Sequence, residues 1–262
     1  MKLDLTGKTA VVTGASRGIG LAVAQALIRE GAGVVAGALS ASAELNALAD
    51  EGDLTVVLDD LTTSAGCQAL VDAAVETHGG IDVLVNNVGG VRPRTTGFLD
   101  VSDADWQWAL DVNLFSAVRA TRAAVPHLLA RAPSAVTTIC SVNAALPDPG
   151  VIDYSAAKAA LRSFTKSLSK ELGPAGVRVN TVSPGPVATA LWLGAGGVAE
   201  TVAKARGLDP VAVQQAAVAG TPTGRFTRPE EVAHLVLYLS SPLAGNVTGA
   251  DVLIDGGMVT TI

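Results

Sequence analysis

The feature that most limits the fold of this 262-residue chain is the alternation of short β-branched runs with longer helical patterns. Seven candidate strands are found, at residues 8–14, 33–39, 53–59, 82–87, 135–141, 177–185 and 250–257. Helical segments are found near residues 19–30, 41–50, 64–78, 103–131, 153–173 and 229–240. Strands separated by helices predict βαβ units, in which parallel strands are covered by helices. We therefore predict an α/β fold with a doubly wound, mostly parallel, seven-stranded sheet and helices on both faces.

The composition agrees with this architecture. Hydrophobic residues make up 49% of the chain and aromatic residues only 3%, so Ala, Val and Leu provide the apolar mass. Such residues suit buried parallel strands under Ala-rich helices. No repeat or linker divides the sequence, which predicts one domain over residues 1–262. A long glycine-containing segment, 186–228, interrupts the alternation and is typical of a lid or binding loop.

Charge and cysteine content exclude several classes of protein. The net charge is −6, and no dense run of Lys or Arg suggests binding to nucleic acid or to a membrane surface. No apolar stretch approaches the roughly 20 residues that cross a bilayer, and the N-terminus lacks a signal-peptide pattern. Cys67 and Cys140 lie in no metal-ligand spacing, so we expect buried free thiols and no metal. These features predict a cytoplasmic protein.

A glycine-rich loop follows the first predicted strand. The sequence "TGASRGIG" covers residues 13–20 and contains Gly14, Gly18 and Gly20. Such glycines permit a tight turn, a close approach of the backbone to a phosphate, and close packing of the next helix on the strand. A glycine-rich loop alone is weak evidence, because it also occurs as an ordinary turn. Its place between a strand and a helix favours a dinucleotide site of the Rossmann type.

The sequence "YSAAK" places Tyr154 and Lys158 four residues apart in a predicted helix. This spacing brings both side chains to one helix face, where such a pair is most often an ordinary surface contact. A neighbouring ammonium also favours the phenolate and lowers a tyrosine pKa from its usual value of about 10. The pair is therefore also a candidate for proton transfer near neutral pH.

The ordered motifs resemble the compact, single-domain branch of the short-chain dehydrogenase/reductase family. Besides the two sequences above, the chain contains "DL" at 60–61, "NNVGG" at 86–90, "DVNLF" at 111–115, Ser141 and "PG" at 184–185. The resemblance covers essentially the whole chain. It implies an NAD(P)(H)-dependent oxidoreductase that interconverts a ketone and a secondary alcohol by hydride transfer.

The resemblance also assigns four catalytic residues. Tyr154 would be the general acid or base, and Lys158 would hold the nicotinamide ribose hydroxyls and lower the tyrosine pKa. Ser141 would hydrogen-bond the substrate oxygen. The backbone carbonyl of Asn113 would hold a water that extends the proton path, although an isolated helical Asn is more often a kink or cap residue.

Cofactor positions carry over from the same motifs. They are Gly14, Ser16, Arg17, Gly18, Ile19, Gly20, Leu39, Ser40, Asp60, Leu61, Asn87, Gly89, Tyr154, Lys158, Pro184, Gly185, Val187 and Thr189. Asn86 is expected to be structural, with hydrogen bonds across strands. Val88 stands where the family usually has alanine, and we expect this small increase in volume to be tolerated.

The end of the second strand bears on the choice of cofactor. NAD-dependent relatives usually carry an acidic residue there, but Ala38 occupies the matching position and Leu39 follows it. No carboxylate would repel a 2′-phosphate, while Arg17 supplies positive charge and Ser40 and Ser42 are possible donors. The sequence favours NADP(H), with NAD(H) as the alternative.

The predicted substrate contacts are mostly apolar. The loop at 142–153 has few charges, and the lid offers Leu191, Trp192 and Leu193, which suits an apolar or alicyclic ketone. Arg92 and Arg94 are open to two interpretations. They are either solvated loop residues, the commoner case, or partners for a substrate carboxylate or phosphate.

Several alternatives to an NADPH-dependent ketoreductase stay open. They are an NAD-dependent secondary-alcohol dehydrogenase and a 3-oxoacyl-carrier-type reductase. A nucleotide sensor without turnover is disfavoured, because all four catalytic positions are filled. The resemblance also implies a homo-oligomer, either dimer or tetramer, in which helices near 103–131 and 153–173 pair across a twofold axis.

Overall fold

One seven-stranded sheet forms the centre of the protein in the computed structural model, which describes residues 3–260. Its strands are β1 (Thr9–Thr13), β2 (Gly33–Ala38), β3 (Leu54–Leu58), β4 (Val83–Asn86), β5 (Ser134–Ile139), β6 (Val177–Pro184) and β7 (Asp251–Ile254). The strand order is β3-β2-β1-β4-β5-β6-β7, and all neighbouring pairs are parallel. The predicted doubly wound α/β fold is confirmed, with strand ends within three residues of prediction. The first two and last two residues of the predicted 1–262 domain lie outside the described residues.

Helices connect the strands across both faces. They are α1 (Gly18–Arg29), α2 (Ala43–Glu51), α3 (Ser64–His78), α4 (Asp103–Leu110), α5 (Ser116–Ala130), α6 (Ile152–Leu172), α7 (Ala190–Leu193), α8 (Val198–Arg206), α9 (Pro210–Ala219) and α10 (Pro229–Ser240). Each predicted helical segment is present. Only the segment 103–131 differs from its prediction by more than two residues.

Side-chain alternation along the strands divides the interior into two apolar cores. Ala10 and Val12 of β1 point to the face covered by α1, α2 and α10. Val11 points to the opposite face, covered by α3, α5 and α6. Both faces of the central strands are therefore buried, which explains why these strands are almost continuously apolar.

The predicted helix at 103–131 is interrupted, which corrects the sequence-based assignment. A π-helical turn, Asp111–Phe115, separates α4 from α5. Within it, the side-chain amide of Asn113 donates to the backbone oxygens of Gly90, at 2.8 Å, and Ala109, at 3.1 Å. Its Oδ1 accepts from the Gly90 backbone N–H at 3.1 Å. The turn thus fastens the helix to the loop after β4, and π-turns of this kind are frequent at functional sites.

The predicted lid segment, 186–228, carries α7, α8 and α9, and its two ends are hydrogen-bonded to each other. The Ala188 N–H donates to the Thr227 carbonyl at 2.8 Å, and the Thr227 N–H donates to the Pro186 carbonyl at 2.9 Å. Next to this junction, the rings of Trp192 and Phe226 meet edge to face with centroids 5.7 Å apart. The two ends of the segment that carries the three helices therefore meet at one point. We call this hydrogen-bonded junction of residues 186–188 with Thr227 the closed base of the lid.

A buried carboxylate organises the amino ends of the central strands. Asp82, just before β4, accepts a hydrogen bond from the Thr9 backbone N–H at 3.0 Å. Lys8 and Arg131 pair with the same carboxylate at 3.0 and 3.3 Å. Because strand carboxyl ends lie at the other edge of a parallel sheet, this ionic cluster is remote from the residues that follow the strands.

Two further sequence-based expectations concern cysteines and membranes. Cys67 and Cys140 are buried free thiols, as predicted. Burial raises the pKa of both thiols, that of Cys67 to about 11. Among residues 3–260, no helix combines the length and apolar character needed to cross a membrane.

Candidate active site

A cleft of about 1080 Å³ opens at the carboxyl ends of the strands. Loops that follow β1, β2, β3, β4, β5 and β6 line it, together with the segment that carries α7, α8 and α9. Ligands of open α/β sheets bind at this edge, where the strand order reverses between β1 and β4. The cleft is therefore the candidate active site.

Most of the predicted site residues line this cleft. Those brought together are Gly14, Ser16, Arg17, Gly18, Ile19, Leu39, Asp60, Leu61, Asn87, Gly89, Ser141, Tyr154, Lys158, Pro184, Gly185, Val187 and Thr189. Three predicted residues do not line it: Gly20 and Asn113 lie behind its wall, and Ser40 is exposed outside it.

The glycine-rich loop is packed too closely to accept side chains at two positions. A Cβ at Gly20 would lie 2.3 Å from the Gly14 carbonyl oxygen and 2.4 Å from the Asn87 amide nitrogen. Gly18 has a φ of +59°, and a Cβ there would lie 3.2 Å from the Thr189 methyl group. The loop leads into the N-terminus of α1, whose capping residue Arg17 makes no side-chain cap and whose first turn has no acidic residue. These features fit the pyrophosphate of a dinucleotide.

Asn87 holds the glycine-rich loop in place by hydrogen bonds to its backbone. Its side-chain amide donates to the backbone oxygens of Thr13 and Gly14, each at 3.0 Å. Val88 packs beside Gly14, where an added Cβ would lie 3.3 Å from a Val88 methyl carbon. Asn86, as expected, is structural: its amide donates to Thr121 and, across the strands, to Thr138.

A cation, Arg17, and a carboxylate, Asp60, lie at the end of the cleft next to β2 and β3. Leu39 is 78% exposed, and the Arg17 side chain is exposed to solvent on the cleft wall. Asp60 accepts hydrogen bonds from the Thr62 hydroxyl and backbone N–H, which hold the pKa of its carboxyl below the usual range. The Ser42 hydroxyl donates to the Ser16 carbonyl at 2.6 Å, so its hydrogen is engaged within the protein. Ser42 is therefore not a free donor for a ligand, contrary to the sequence-based suggestion.

Tyr154 and Ser141 meet in the cleft. Tyr154 is the third residue of α6, and Ser141 follows β5. Burial raises the pKa of Tyr154 to about 12, and its hydrogen bond with Ser141 acts in the opposite direction. The predicted lowering of this pKa by Lys158 is not found: burial is the largest cause of the shift, and Lys158 is not among its causes. The phenol is therefore held in its protonated form.

The Lys158 ammonium lies nearby in a buried position. Its side chain donates to the Ile139 carbonyl at 3.0 Å, and its Nζ is 5.8 Å from the centre of the Tyr154 ring. Burial lowers the pKa of the ammonium. Within residues 3–260 no second hydrogen-bond acceptor binds this ammonium, which has three N–H donors. Two donors are thus available for hydroxyl groups of a ligand.

Asn113 contributes from behind the wall of the cleft. Its side chain binds both polar groups of the Gly90 backbone, as described above, and a Cβ at Gly89 would lie 3.1 Å from its Oδ1. The same Cβ would lie 3.4 Å from the Lys158 Nζ. The asparagine therefore sets the path of the loop that passes the ammonium.

The remaining wall of the cleft is largely apolar. It is lined by Val142, Leu146, Pro147, Pro149, Val151, Leu191, Trp192, Val202, Val213 and Met258. Leu193, expected among the lid contacts, does not line the cleft and is exposed. Neither Arg92 nor Arg94 lines it. The Arg92 guanidinium stacks 3.8 Å above the Trp108 ring, and Arg94 is bound to Asp105 and Asp153.

Sequence reasoning missed five polar residues of the cleft: Asp59, Thr62, Asn143, Asp148 and Arg206. Asn143 accepts a hydrogen bond from the Ser141 hydroxyl at 3.2 Å and returns one from its backbone N–H. The spacing Ser-x-Asn, in which a short side chain turns back on its neighbour, was the available signal. Arg206 lies in the last turn of α8, where a basic residue is ordinary, so nothing in the sequence marked it.

Comparison with known proteins decides the family. A family model described as enoyl-(acyl carrier protein) reductase matches residues 14–259. Oxidoreductase UcpA of Salmonella typhimurium is 37% identical over 260 residues, which span 97% of this chain and 95% of the relative. The chain belongs to the short-chain dehydrogenase/reductase family. It is an NAD(P)-dependent oxidoreductase that acts on CH–OH groups.

Other short-chain dehydrogenases/reductases are similar along their full length. The 3-oxoacyl-[acyl-carrier-protein] reductase FabG of Thermotoga maritima is 33% identical and covers 98% of this chain and 100% of the relative. A crystal structure of L-sorbose reductase from Gluconobacter frateurii, complexed with NADPH and L-sorbose, has a TM-score of 0.91. It is 33% identical and covers 100% of both chains. Among residues 3–260, no group of three or more His, Cys, Asp or Glu side chains is arranged to hold a metal ion.

Proposed function

We propose that this short-chain dehydrogenase/reductase is an NADPH-dependent ketoreductase that acts on an apolar or alicyclic small molecule. The observation that carries the proposal is the meeting of a protonated Tyr154 with Ser141 and Lys158 in a cleft whose remaining wall is largely apolar. A protonated phenol is the form that donates to a carbonyl oxygen during reduction.

In the proposed reduction, the substrate oxygen lies beside Tyr154 and Ser141. Tyr154 donates its phenol proton as negative charge develops on that oxygen, and the Ser141 hydroxyl stabilises the charge by a hydrogen bond. The serine hydroxyl must turn away from Asn143, which it contacts before substrate binds. The bound nicotinamide supplies the hydride.

Lys158 and Asn113 support the proton donor. The Lys158 ammonium would hold the ribose hydroxyls with its two available donors, and its charge favours the phenolate that forms after Tyr154 has lost its proton. Asn113 positions the loop beside the ammonium, and by family resemblance its backbone carbonyl holds a water on the proton path. Burial of the site lowers the competing solvation of each charged group.

Three observations support NADP(H) as the cofactor. The β2 end offers Ala38 and Leu39 in place of a carboxylate, and Arg17 lines the cleft with no ion-pair partner among residues 3–260. The structurally similar L-sorbose reductase is complexed with NADPH. We propose that Arg17 binds the 2′-phosphate and that Gly14, Ser16, Gly18 and Ile19 bind the pyrophosphate.

The apolar wall supports the proposed substrate class. A polyhydroxylated sugar would leave hydroxyl groups unpaired against residues such as Leu146, Trp192 and Val213, which carries a cost for each group. The 33% identity to FabG keeps a 3-oxoacyl thioester as a second candidate. An NAD-dependent alcohol dehydrogenase is the remaining alternative.

We further propose that the chain works as one dinucleotide-binding domain, with the segment 186–228 as its lid over the substrate. We also propose a homo-oligomer, dimer or tetramer, by resemblance to the family. Sedimentation as a monomer at micromolar concentration would contradict the oligomer.

The first experiment tests ketone reduction and the role of Tyr154. Purified protein with NADPH is assayed at 340 nm against 2-decalone, cyclohexanone, an acetoacetyl thioester and L-sorbose. We expect faster turnover of the alicyclic ketones.

Tyr154→Phe should lower kcat by roughly 10²- to 10⁴-fold, because it removes the proton donor. Tyr238→Phe changes the other tyrosine of the chain and should leave kcat unchanged. Preferred reduction of the thioester or of L-sorbose would overturn the proposed substrate class.

A second experiment tests cofactor choice by fluorescence titration with NADPH and NADH. We expect tighter binding of NADPH, and Arg17→Ala should weaken it by roughly 10- to 150-fold, equal to the about 1.5–3 kcal/mol of a hydrogen bond to a charged group. NADH binding should not change. Arg29→Ala, at the opposite end of α1, is the matched control. Tighter binding of NADH by the unaltered protein would contradict an NADP(H) preference.

A third experiment follows pH in both directions. With the Tyr154 pKa raised to about 12, the phenol stays protonated over the working range. Reduction should therefore be nearly independent of pH between about 6 and 9, whereas alcohol oxidation, which needs the phenolate, should rise roughly tenfold per unit. Initial rates in both directions provide the measurement. A reduction rate that falls through neutral pH would show that the phenol ionises there.

A further inference from the structure

Arg94 lies in the loop after β4 and is almost fully enclosed. Its side chain is 12% exposed, and it forms three hydrogen bonds to two carboxylates. Nη1 donates to Asp105 at 2.9 Å, while Nε and Nη2 donate to Asp153 at 3.1 and 2.5 Å. Each of the three guanidinium nitrogens is therefore hydrogen-bonded within the protein, away from the cleft wall.

Asp153 directly precedes Tyr154 in the chain. Its side chain is only 2% exposed, and Arg94 is its ion-pair partner. The second carboxylate oxygen of Asp153 accepts a hydrogen bond from the Tyr154 backbone N–H at 2.9 Å. A single carboxylate thus links the guanidinium to the backbone of the proposed proton donor.

The start of α6 depends on this link because it lacks an ordinary cap. The helix begins at Ile152, and Val151 before it provides no side-chain hydrogen bond. Tyr154 is the third helical residue, in the turn where backbone N–H groups have no partner within the helix. Helix ends fray when these groups are not satisfied. Asp153 satisfies the N–H of the residue on which the chemistry depends.

Arg94 also fastens the two loops that border the substrate region. Its backbone N–H donates to the Gly150 carbonyl at 2.7 Å, which joins the loop after β4 to the loop before α6. Asp105 belongs to the capping box that starts α4 with Ser102. One residue therefore connects both loops and the first turns of α4 and α6.

We propose that Arg94 is a positioning residue that holds the phenol of Tyr154 against Ser141 through Asp153. We call the three residues Arg94, Asp153 and Asp105 the ion-pair clamp. Its catalytic consequence rests on the proposed reductase function, but its effect on the position of Tyr154 does not. Lysine at position 94 would replace the clamp poorly, because an ammonium lacks the planar fork that binds Asp153 twice and Asp105 once.

The decisive variant removes the charges of Arg94 and Asp153 together. Arg94→Met alone would leave the buried Asp153 carboxylate without its cation and risks misfolding. The double variant Arg94→Met/Asp153→Asn avoids this, and the new side-chain oxygen at 153 retains an acceptor for the Tyr154 N–H. The matched control is Arg131→Met/Asp82→Asn, which removes an arginine–aspartate pair with a buried carboxylate and a half-buried arginine at the opposite edge of the sheet.

The position of Tyr154 can be observed directly by ¹⁹F NMR, without any substrate. The chain contains two tyrosines, so 3-fluorotyrosine incorporated in a Tyr238→Phe background reports on Tyr154 alone. We expect one sharp resonance, unchanged in the control pair. The clamp variant should shift or broaden it, and Arg94→Lys should give an intermediate spectrum.

Kinetics provide the second readout. In the clamp variant kcat should fall by roughly 10- to 100-fold, the usual effect of a misplaced reacting group, while the dissociation constant for NADPH stays unchanged. Arg94→Lys should recover part of the loss, and the control pair should keep the original kcat. An unchanged ¹⁹F resonance in the clamp variant overturns the proposal, whatever the kinetics. If the unaltered protein reduces no ketone, the proposed function fails, and the ¹⁹F comparison still decides the role of Arg94.

Discussion

Parallel pairing of all seven strands is the constraint on which the rest of the structure depends. Each strand must end at the same edge, so the loops after β1, β4, β5 and β6 meet there although they are far apart in sequence. The order reverses at β1, whose two neighbours are β2 and β4, and the helices that follow leave to opposite faces. The resulting crevice brings the glycine-rich loop next to Ser141, Tyr154 and Lys158.

Burial governs the chemistry of that crevice. It raises the pKa of Tyr154 and lowers the pKa of Lys158, because each charged form loses solvation. The two shifts oppose the simple expectation that a nearby ammonium makes the tyrosine acidic. An enclosed phenol that keeps its proton can donate it to a substrate oxygen. The ammonium is left with two donors that a ribose can use.

Local patterns in the sequence predicted the fold, and the resemblance of its motifs to the family predicted most cleft residues. Alternating apolar runs define the strands, and the motif residues occur directly after them. The π-turn at Asn113 was not predictable, since one extra residue in a helical turn hardly disturbs an apolar pattern. Ser42 was misjudged because its hydrogen-bond partner, the Ser16 carbonyl, belongs to a neighbouring loop. Arg94 remained ambiguous for the same reason: both of its carboxylate partners follow it in the chain, and one is 59 residues away.

The closed base of the lid has an evolutionary consequence. Pro186 and Ala188 pair with Thr227, and the segment between them is also joined to the loop after β7 by a hydrogen bond from the Thr223 N–H to the Gly256 carbonyl at 3.2 Å. Changes of length or composition between these anchors need not disturb β6 or α10. The same oxidoreductase framework can therefore acquire new substrates by exchange of this one segment, while the residues of the glycine-rich loop and of α6 are inherited unchanged.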